Sequence, residues 1–375
     1  MKTHLTAEIS ASTLAYNITS IRRHLEPYVK LCAVVKADAY GHGLELMVPA
    51  MLPHADAFAV ATAEEAFDVR RVAPRVPLLV FFTPGSIEPG HVELTLAELV
   101  RLDVIISIVS AAEVAAVTTA AALAGEQAMV HIKVDTGMGR SGVLPEQFPK
   151  LLATVLSHEG IRLQGLYTHL PLADEGDWNY TSMQLDRLRQ CAAACPPTMT
   201  LCRHAANSAA TMGYPSSHLD MVRPGLAIYG YRTGDDCPGQ EALRPALRVT
   251  ARLMQVKDVD AGTRCGYGLT YAMPAAGRIG LVPIGYADGY LRSFSNRACM
   301  KVRGQSARVI GRVSMDQTII DLTGIAGAAV GDEVEVISSD RNEPNSVENL
   351  AKMAGTIPYE IIVRLGARVR RVLRD

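Results

Sequence analysis

The sequence predicts an α/β chain in two parts, a closed (β/α)8 barrel of the TIM type followed by a mostly β C-terminal domain. Three observations carry that prediction. Over the first 230 or so residues, a short apolar run, a loop and an amphipathic or Ala-rich helix recur eight times. The runs start 21 to 35 residues apart, the length of a strand plus a crossover helix. After about residue 240 the pattern gives way to runs rich in Val, Ile and Thr, with Gly-containing turns between them. The chain's 375 residues, 49% of them hydrophobic, also suffice for two cores.

The eight runs are residues 31–36, 56–61, 78–82, 103–108, 129–134, 163–168, 198–203 and 219–223. Thr62-Ala-Glu-Glu65 follows the second and Ser110-Ala-Ala-Glu113 the fourth. Each reads as a capping box, in which a hydroxyl and a carboxylate satisfy the first free N–H groups of a helix. Eight such units close into a barrel, and an open doubly wound sheet is the alternative. In the second part, strands are expected at 247–256, 278–284, 298–302, 307–321 and 333–337, with no long helix before 346–354. The Arg-rich tail at 364–374 alternates with apolar residues and reads as a closing strand with one solvated face. The domains are expected at 1–240 and 241–375, with residues 1–10 free to pair with the second.

Charge and cysteine usage exclude several classes. Lys and Arg total 37 against 38 Asp and Glu, a net charge of −1, so no global field draws the protein to nucleic acid or anionic lipid. Seven cysteines are scattered without a C-x-x-C pair. That argues against a disulfide framework and a thiolate zinc site and for a reducing, cytoplasmic setting. The start has no apolar core of a secretory signal. Residues 104–125 hold only Glu113 as a charge, but the capping box inside them favours a strand and an Ala-rich helix over a membrane span.

In a barrel of this kind, reactive residues belong to the loops after the strands' C-terminal ends. Lys36 closes the first run in Ala33-Val-Val-Lys-Ala-Asp-Ala-Tyr40-Gly-His-Gly43. A poorly hydrated lysine there has a lowered pKa and suits Schiff-base chemistry; the plainer reading is a side chain snorkelling to the rim. After the fifth run, Lys133-Val-Asp-Thr-Gly-Met-Gly-Arg140-Ser-Gly142 contains a literal G-x-G-x-x-G. It lacks the context of a dinucleotide site, because Asp135-Thr136 intervene after the strand and the sixth run ends in Thr168-His169. The glycines more simply turn the backbone and aim Arg140, a good carboxylate fork, inward. His204-Ala-Ala-Asn207-Ser208 and Arg223-Pro-Gly225-Leu226 follow the last two runs, where barrels commonly bind phosphate. His169 and His204 also raise a metal hydrolase as a rival, although a second close His pair is missing.

Taken together and in order, these residues resemble alanine racemase, a pyridoxal-phosphate enzyme with a barrel followed by a β domain. The likeness runs from about residue 5 to the C-terminus. Besides the loops above it rests on Cys265-Gly-Tyr267-Gly, Gly285-Tyr-Ala-Asp-Gly289, Gly311-Arg-Val-Ser-Met-Asp-Gln317 and Ile357-Pro-Tyr-Glu360.

The resemblance implies interconversion of L- and D-alanine, supplying D-alanine for peptidoglycan. Lys36 would hold pyridoxal 5'-phosphate as an aldimine, and its phosphate would meet Tyr40, Ser208, Gly225, Leu226 and Tyr359. Arg223, backed by His204, would donate to the pyridine nitrogen. Once alanine takes the place of Lys36 on the cofactor, two bases act, Lys36 on one face of the substrate carbon and Tyr267 on the other. His169 is the expected relay to Tyr267. Arg140 and the Met315 N–H would hold the substrate carboxylate, and Lys133 matches a position carbamylated in family members. The family forms a head-to-tail homodimer in which Tyr267, Tyr286 and Met315 enter the other chain's site. Asp174, Tyr286, Arg292 and Arg312 match the substrate entrance. No resident metal, nucleic acid or membrane partner is implied. Two departures stand out: Leu170-Pro-Leu-Ala-Asp174, where Phe-Ala-x-Ala-Asp is frequent, and Ser314, where Cys is common. A serine or broad-specificity racemase on the same fold, a related decarboxylase and a non-catalytic cofactor-binding protein are the competing readings.

Overall fold

The computed structural model describes residues 4–234 and 238–375; Cys237 lies outside them. The leading strand, β1 (Leu5–Ser10), does not enter the barrel. Eight parallel strands do: β2 (Lys30–Val34), β3 (Ala57–Val60), β4 (Leu78–Val80), β5 (Val104–Ile108), β6 (Ala128–Lys133), β7 (Ile161–Tyr167), β8 (Cys202–His204) and β9 (Met221–Val222). β9 closes the ring on β2 through the pairs Lys30↔Met221 and Leu31↔Val222, so the open-sheet alternative fails. Strands β2 to β6 are buried on both faces along nearly their whole length, which is why they read as near-continuous apolar runs.

Local chemistry starts the helices as expected, with one change. Thr62 and Glu65 form the full capping box at helix Ala63–Val72. Ser110 caps helix Ala111–Ala124, but Glu113 reaches one residue further back, accepting from Val109 N at 2.7 Å. Residues 104–125 are therefore β5 and a 14-residue helix. Among the described residues no helix is long and apolar enough to cross a membrane.

Several boundaries differ from the sequence reading, each for a local reason. The first run ends at Val34, and Lys36 opens a short helical turn, Lys36–Tyr40. The seventh run is displaced to Cys202–His204 because Thr198 and Met199 lie in a turn closed by Met199 N donating to Pro196 O. The eighth shrinks to Met221–Val222, since Leu219 takes φ 51°, which no strand residue adopts. Run 247–256 breaks into Leu247–Arg252 and Gln255–Val259, one in each of two sheets. Run 307–321 breaks into Gln305–Arg308 and Thr318–Asp321 around Gly311, at φ 72°.

The main sheet after the barrel has the order Gln305–Arg308, Cys299–Val302, Glu333–Ile337, Leu247–Arg252, β1, Arg370–Arg374. β1 is antiparallel to Leu247–Arg252 and parallel to the tail strand, so the two chain ends share one sheet. The tail strand is the sheet's edge, and Leu373 stays exposed on it. Gln255–Val259, Gly277–Val282 and Thr318–Asp321 form a second sheet.

One unpredicted element ties the two parts together. Helix Pro358–Val363 packs on the turn Lys36–Tyr40. A Cβ on Gly41 would stand 2.1 Å from Ile362 O, and Arg371 Nε donates to Gly41 O at 3.1 Å. The close contact brings Tyr359 to the barrel mouth, its ring 6.0 Å from that of Tyr40.

Candidate active site

The loop after β2 is built in an uncommon conformation. Ala37, Asp38, Ala39 and Tyr40 all have φ between 51° and 55°, a left-handed turn costing roughly 1–2 kcal/mol per residue for side chains other than glycine. Side chains hold it in place. Glu65 accepts from Ala37 N at 2.6 Å and from Ala61 N at 2.7 Å, and Asp38 accepts from Leu44 N at 2.7 Å. The buried His42 ring donates from Nδ1 to Tyr40 O at 2.9 Å. Lys36 heads this turn; burial and the cations Arg140 and Arg223 lower its pKa against the pull of Glu65. Tyr40 ends it, with its hydroxyl so near the loop after β9 that a Cβ on Gly225 would lie 2.2 Å away. Only glycine fits there.

Ser208 organises that loop. Its Oγ accepts from Gly225 N at 3.0 Å and from Ala227 N at 3.1 Å, leaving its own O–H to donate outward. The helix Ser208–Gly213 is capped by Asn207, which accepts from Ala210 N.

After β6 the glycine motif serves its own acid. Asp135 accepts from the N–H groups of Gly137, Met138 and Gly139 through one oxygen and of Arg140 through the other, at 2.9–3.0 Å. Burial pushes the Asp135 carboxyl up, and these four bonds outweigh it and set its pKa below the ordinary value. N–H groups spent on Asp135 cannot cradle a dinucleotide. Arg140 is exposed at the rim, and its charge bears on Lys36, Lys133 and His169. Lys133 is buried at the end of β6, and desolvation together with Arg140 and Arg223 brings its pKa down to about 8.

Arg223 lies deeper. Its guanidinium donates to His204 Nδ1 at 2.8 Å, to Thr168 O at 2.8 Å and to Ala205 O at 3.1 Å, using three of its five N–H donors. Burial lowers its pKa, and the groups that raise it are Tyr167, Cys32 and Cys202, none of them a carboxylate. His204 passes a hydrogen bond to His131 at 2.8 Å. With both ring nitrogens taken, His204 is no metal ligand, and the metal-hydrolase reading loses its pair. His169 follows β7 and Thr168; burial, then Arg223, Arg140, Lys133 and Lys36, hold its pKa well below the ordinary value. The mouth therefore gathers cations with little acid to balance them, which fits an anionic ligand.

The remaining predicted residues are gathered elsewhere in the same chain. Tyr267, Tyr286, Arg292 and Arg312 line one cavity of about 260 Å³ with Val313 and Ser314. Tyr267 is 72% exposed and Met315 53% exposed. Asp174 sits in the turn-rich stretch after His169.

The comparisons with known proteins match this two-part arrangement. Residues 9–233 match the family model described as the alanine racemase N-terminal domain, and residues 246–373 the model for its C-terminal domain. The chain belongs to the alanine racemase family. It is 40% identical to the alanine racemase of Desulforamulus reducens, over 99% of each chain, and 37% identical to that of Desulfovibrio desulfuricans, over 98% of this chain and 97% of the other. The crystal structure of alanine racemase from Streptomyces lavendulae superposes with a TM-score of 0.91 at 34% identity, covering 100% of this chain and 98% of that one. The Clostridium difficile 630 alanine racemase gives 0.92 at 31% identity, covering 100% and 96%.

Within this alanine racemase fold, the sequence reading missed the layer beneath the site. Local sequence marks Glu65 only as a helix cap and leaves His131, Ser107 and Tyr167 unmarked as partners of the site. A signal for His131 existed: it stands two residues before Lys133 on β6, so both point to the same face of the strand. No short-range signal marks Ser107 or Tyr167, which meet at 2.7 Å across the barrel.

Proposed function

We propose that this member of the alanine racemase family interconverts L- and D-alanine with pyridoxal 5'-phosphate, using Lys36 of one copy and Tyr267 of a second. The observation that carries the reading is the mouth itself. A desolvated lysine stands beside a cradle that a Cβ would fill, above a buried arginine with donors to spare.

The residues present fit the cofactor. Tyr40, Ser208, the N–H groups of Gly225 and Leu226, and Tyr359 would hold its phosphate, and Arg223, backed by His204, its ring nitrogen. When bound, the cofactor supplies an electron-withdrawing ring that makes the substrate α-hydrogen acidic. Arginine keeps its proton, so Arg223 would leave the ring a weaker electron sink than an aspartate partner would, and would thereby restrain side reactions. Lys36, neutral more readily than an ordinary lysine, takes or returns a proton on one face. Tyr267 of the second copy does so on the opposite face, with His169 as its relay. Arg140 and the Met315 N–H orient the carboxylate. Lys133, with its amine near neutrality, is suited to carbamylation, which would place an anion beside Arg140. Asp174, Tyr286, Arg292 and Arg312 line the way in.

The exposure of Tyr267 and Met315 supports a head-to-tail homodimer that buries them. We place the domain boundary at residues 240/241, with β1 counted structurally with the second domain. The setting proposed is the bacterial cytoplasm, where D-alanine feeds peptidoglycan. The test is a visible spectrum before and after borohydride, followed by peptide mapping and by rates on D-alanine, D-serine and D-lysine. Loss of the band with the label on Lys36, and preference for alanine, are expected. Label on another lysine, or faster turnover of serine or lysine, would sink the reading.

A further inference from the structure

Beneath the mouth, a hydrogen-bond chain runs through the barrel interior from Arg223 through His204 to His131. All three side chains are buried. The chain has a fixed direction. A guanidinium can only donate, so His204 Nδ1 must accept, and the single proton of a neutral His204 sits on Nε2. That proton can go only to His131 Nδ1, 2.8 Å away, so His131 accepts and carries its own proton on Nε2. Burial and the nearby Arg223 keep both rings neutral, His131 down to about 3.

The surroundings are shaped for this arrangement. Gly165 on β7 leaves room for the His131 ring: a Cβ there would stand 2.6 Å from its Cε1 and Nε2. Tyr167 stacks on His204 with centroids 4.7 Å apart and planes 5° from parallel. Ser107 spends its hydrogen on Val80 O at 2.6 Å, so it accepts from the Tyr167 hydroxyl and locks that ring as well. His204 is thus pinned on its face by Tyr167 and on its edge by His131.

We propose that His131 is a positioning residue: as the terminal acceptor of this one-way chain it fixes the His204 tautomer and thereby aims Arg223 at the ring nitrogen of the cofactor. The inference rests on the placement of Arg223 against that nitrogen proposed above. Without an acceptor at position 131, His204 can move its proton to Nδ1, where it opposes the Arg223 donor. The guanidinium then loses its lateral anchor.

The experiment compares His131→Leu with His131→Asn in the holoenzyme. Asn offers a carbonyl acceptor, whereas Leu fills space and accepts nothing. His131→Leu is expected to lower kcat about tenfold or more, the size of one misplaced hydrogen bond, with KM for alanine within about threefold. It should also shift the visible band or its pH titration. His131→Asn should keep kcat within about threefold and leave the band in place. Equal losses in both variants, or a Leu variant altered only in Tm, would overturn the proposal by reducing His131 to packing. Should the Leu protein not fold, His131→Val, which likewise offers no acceptor and suits a strand, carries the test with the same expected signature. Arg223→Lys separates the two levels. If it leaves band and kcat unchanged, the Arg223 reading fails and takes the proposal with it. If it changes them while His131→Leu does not, only the role of His131 fails.

Discussion

The barrel mouth and the Tyr267 loop are built on opposite principles. At the mouth, Lys36, Lys133 and His169 are desolvated and lowered further by the buried Arg223, and Glu65, His131 and Ser208 hold their neighbours in place. Around Tyr267 a small hairpin of Arg264–Cys265 and Tyr271–Ala272 presents Gly266, Gly268 and Leu269 at positive φ, with the phenol in the open. The first region is packed within one chain, and the second stands open in it. The difference teaches that preorganisation is concentrated in the half proposed to hold the anionic ligand. In the proposed dimer the other half would gain its surroundings by association, which would give the β domain a chemical reason to exist.

The sharpest way to break this comparison is to separate the halves on different chains. Tyr267→Phe should cut racemisation by about 10²–10⁴-fold while the visible band persists, and Lys36→Ala should abolish both activity and band. Mixed after subunit exchange, the two dead variants should recover on the order of a quarter of wild-type activity. Half of the randomised dimers are then mixed, and each mixed dimer carries one intact site. No recovery in an exchange verified by mass would place Tyr267 and Lys36 on one chain and dissolve the contrast.

A smaller effect tests what holds the mouth. Glu65→Ala removes the acceptor of Ala37 N as well as a capping partner, so unfolding free energy should fall by about 1–2 kcal/mol and kcat should fall with it. Thr62→Ala, which removes the cap alone, should lose about 1 kcal/mol and keep kcat. Denaturant midpoints and kcat for the pair decide the matter; equal kcat values would show that the left-handed turn does not depend on Glu65.

The smallest effect is electrostatic. Lys133 titrates near 8 folded against an ordinary 10.5, so between those values the unfolded chain binds the extra proton. Its buried charge costs stability below about pH 8, and the cost is relieved as pH rises toward 10.5. In buffer free of carbon dioxide, the stability of wild type minus Lys133→Met should therefore rise between pH 8 and 10 by on the order of 1 kcal/mol or more. A flat or falling difference would mean that Lys133 is not the desolvated amine the mouth implies.

Much of the barrel was legible because its strands are buried on both faces and announce themselves as apolar runs. Capping boxes were legible because they are local: Thr62 and Glu65 meet whatever the rest of the chain does. The errors lie where the backbone leaves the ordinary regions. Leu219 at φ 51° and the four left-handed residues after Lys36 carry no glycine to mark them. The G-x-G-x-x-G motif misdirects for a related reason, since its N–H groups turn toward Asp135, two positions before its first glycine, and no ligand is needed to explain them.

By itself the sequence determined the class of chemistry. Lys36, Tyr40, Arg223 and Tyr267 stand in motifs whose order identifies the family, because each step of that chemistry needs a particular side chain at the end of a particular strand or loop. Only the tertiary structure decided who supports whom. It paired His131 with His204 across 73 positions, placed Ile362 O over Gly41, and left Tyr267 exposed in its own chain. Those outcomes depend on barrel closure and on packing between distant segments, and neither leaves a short-range signal in the residues themselves.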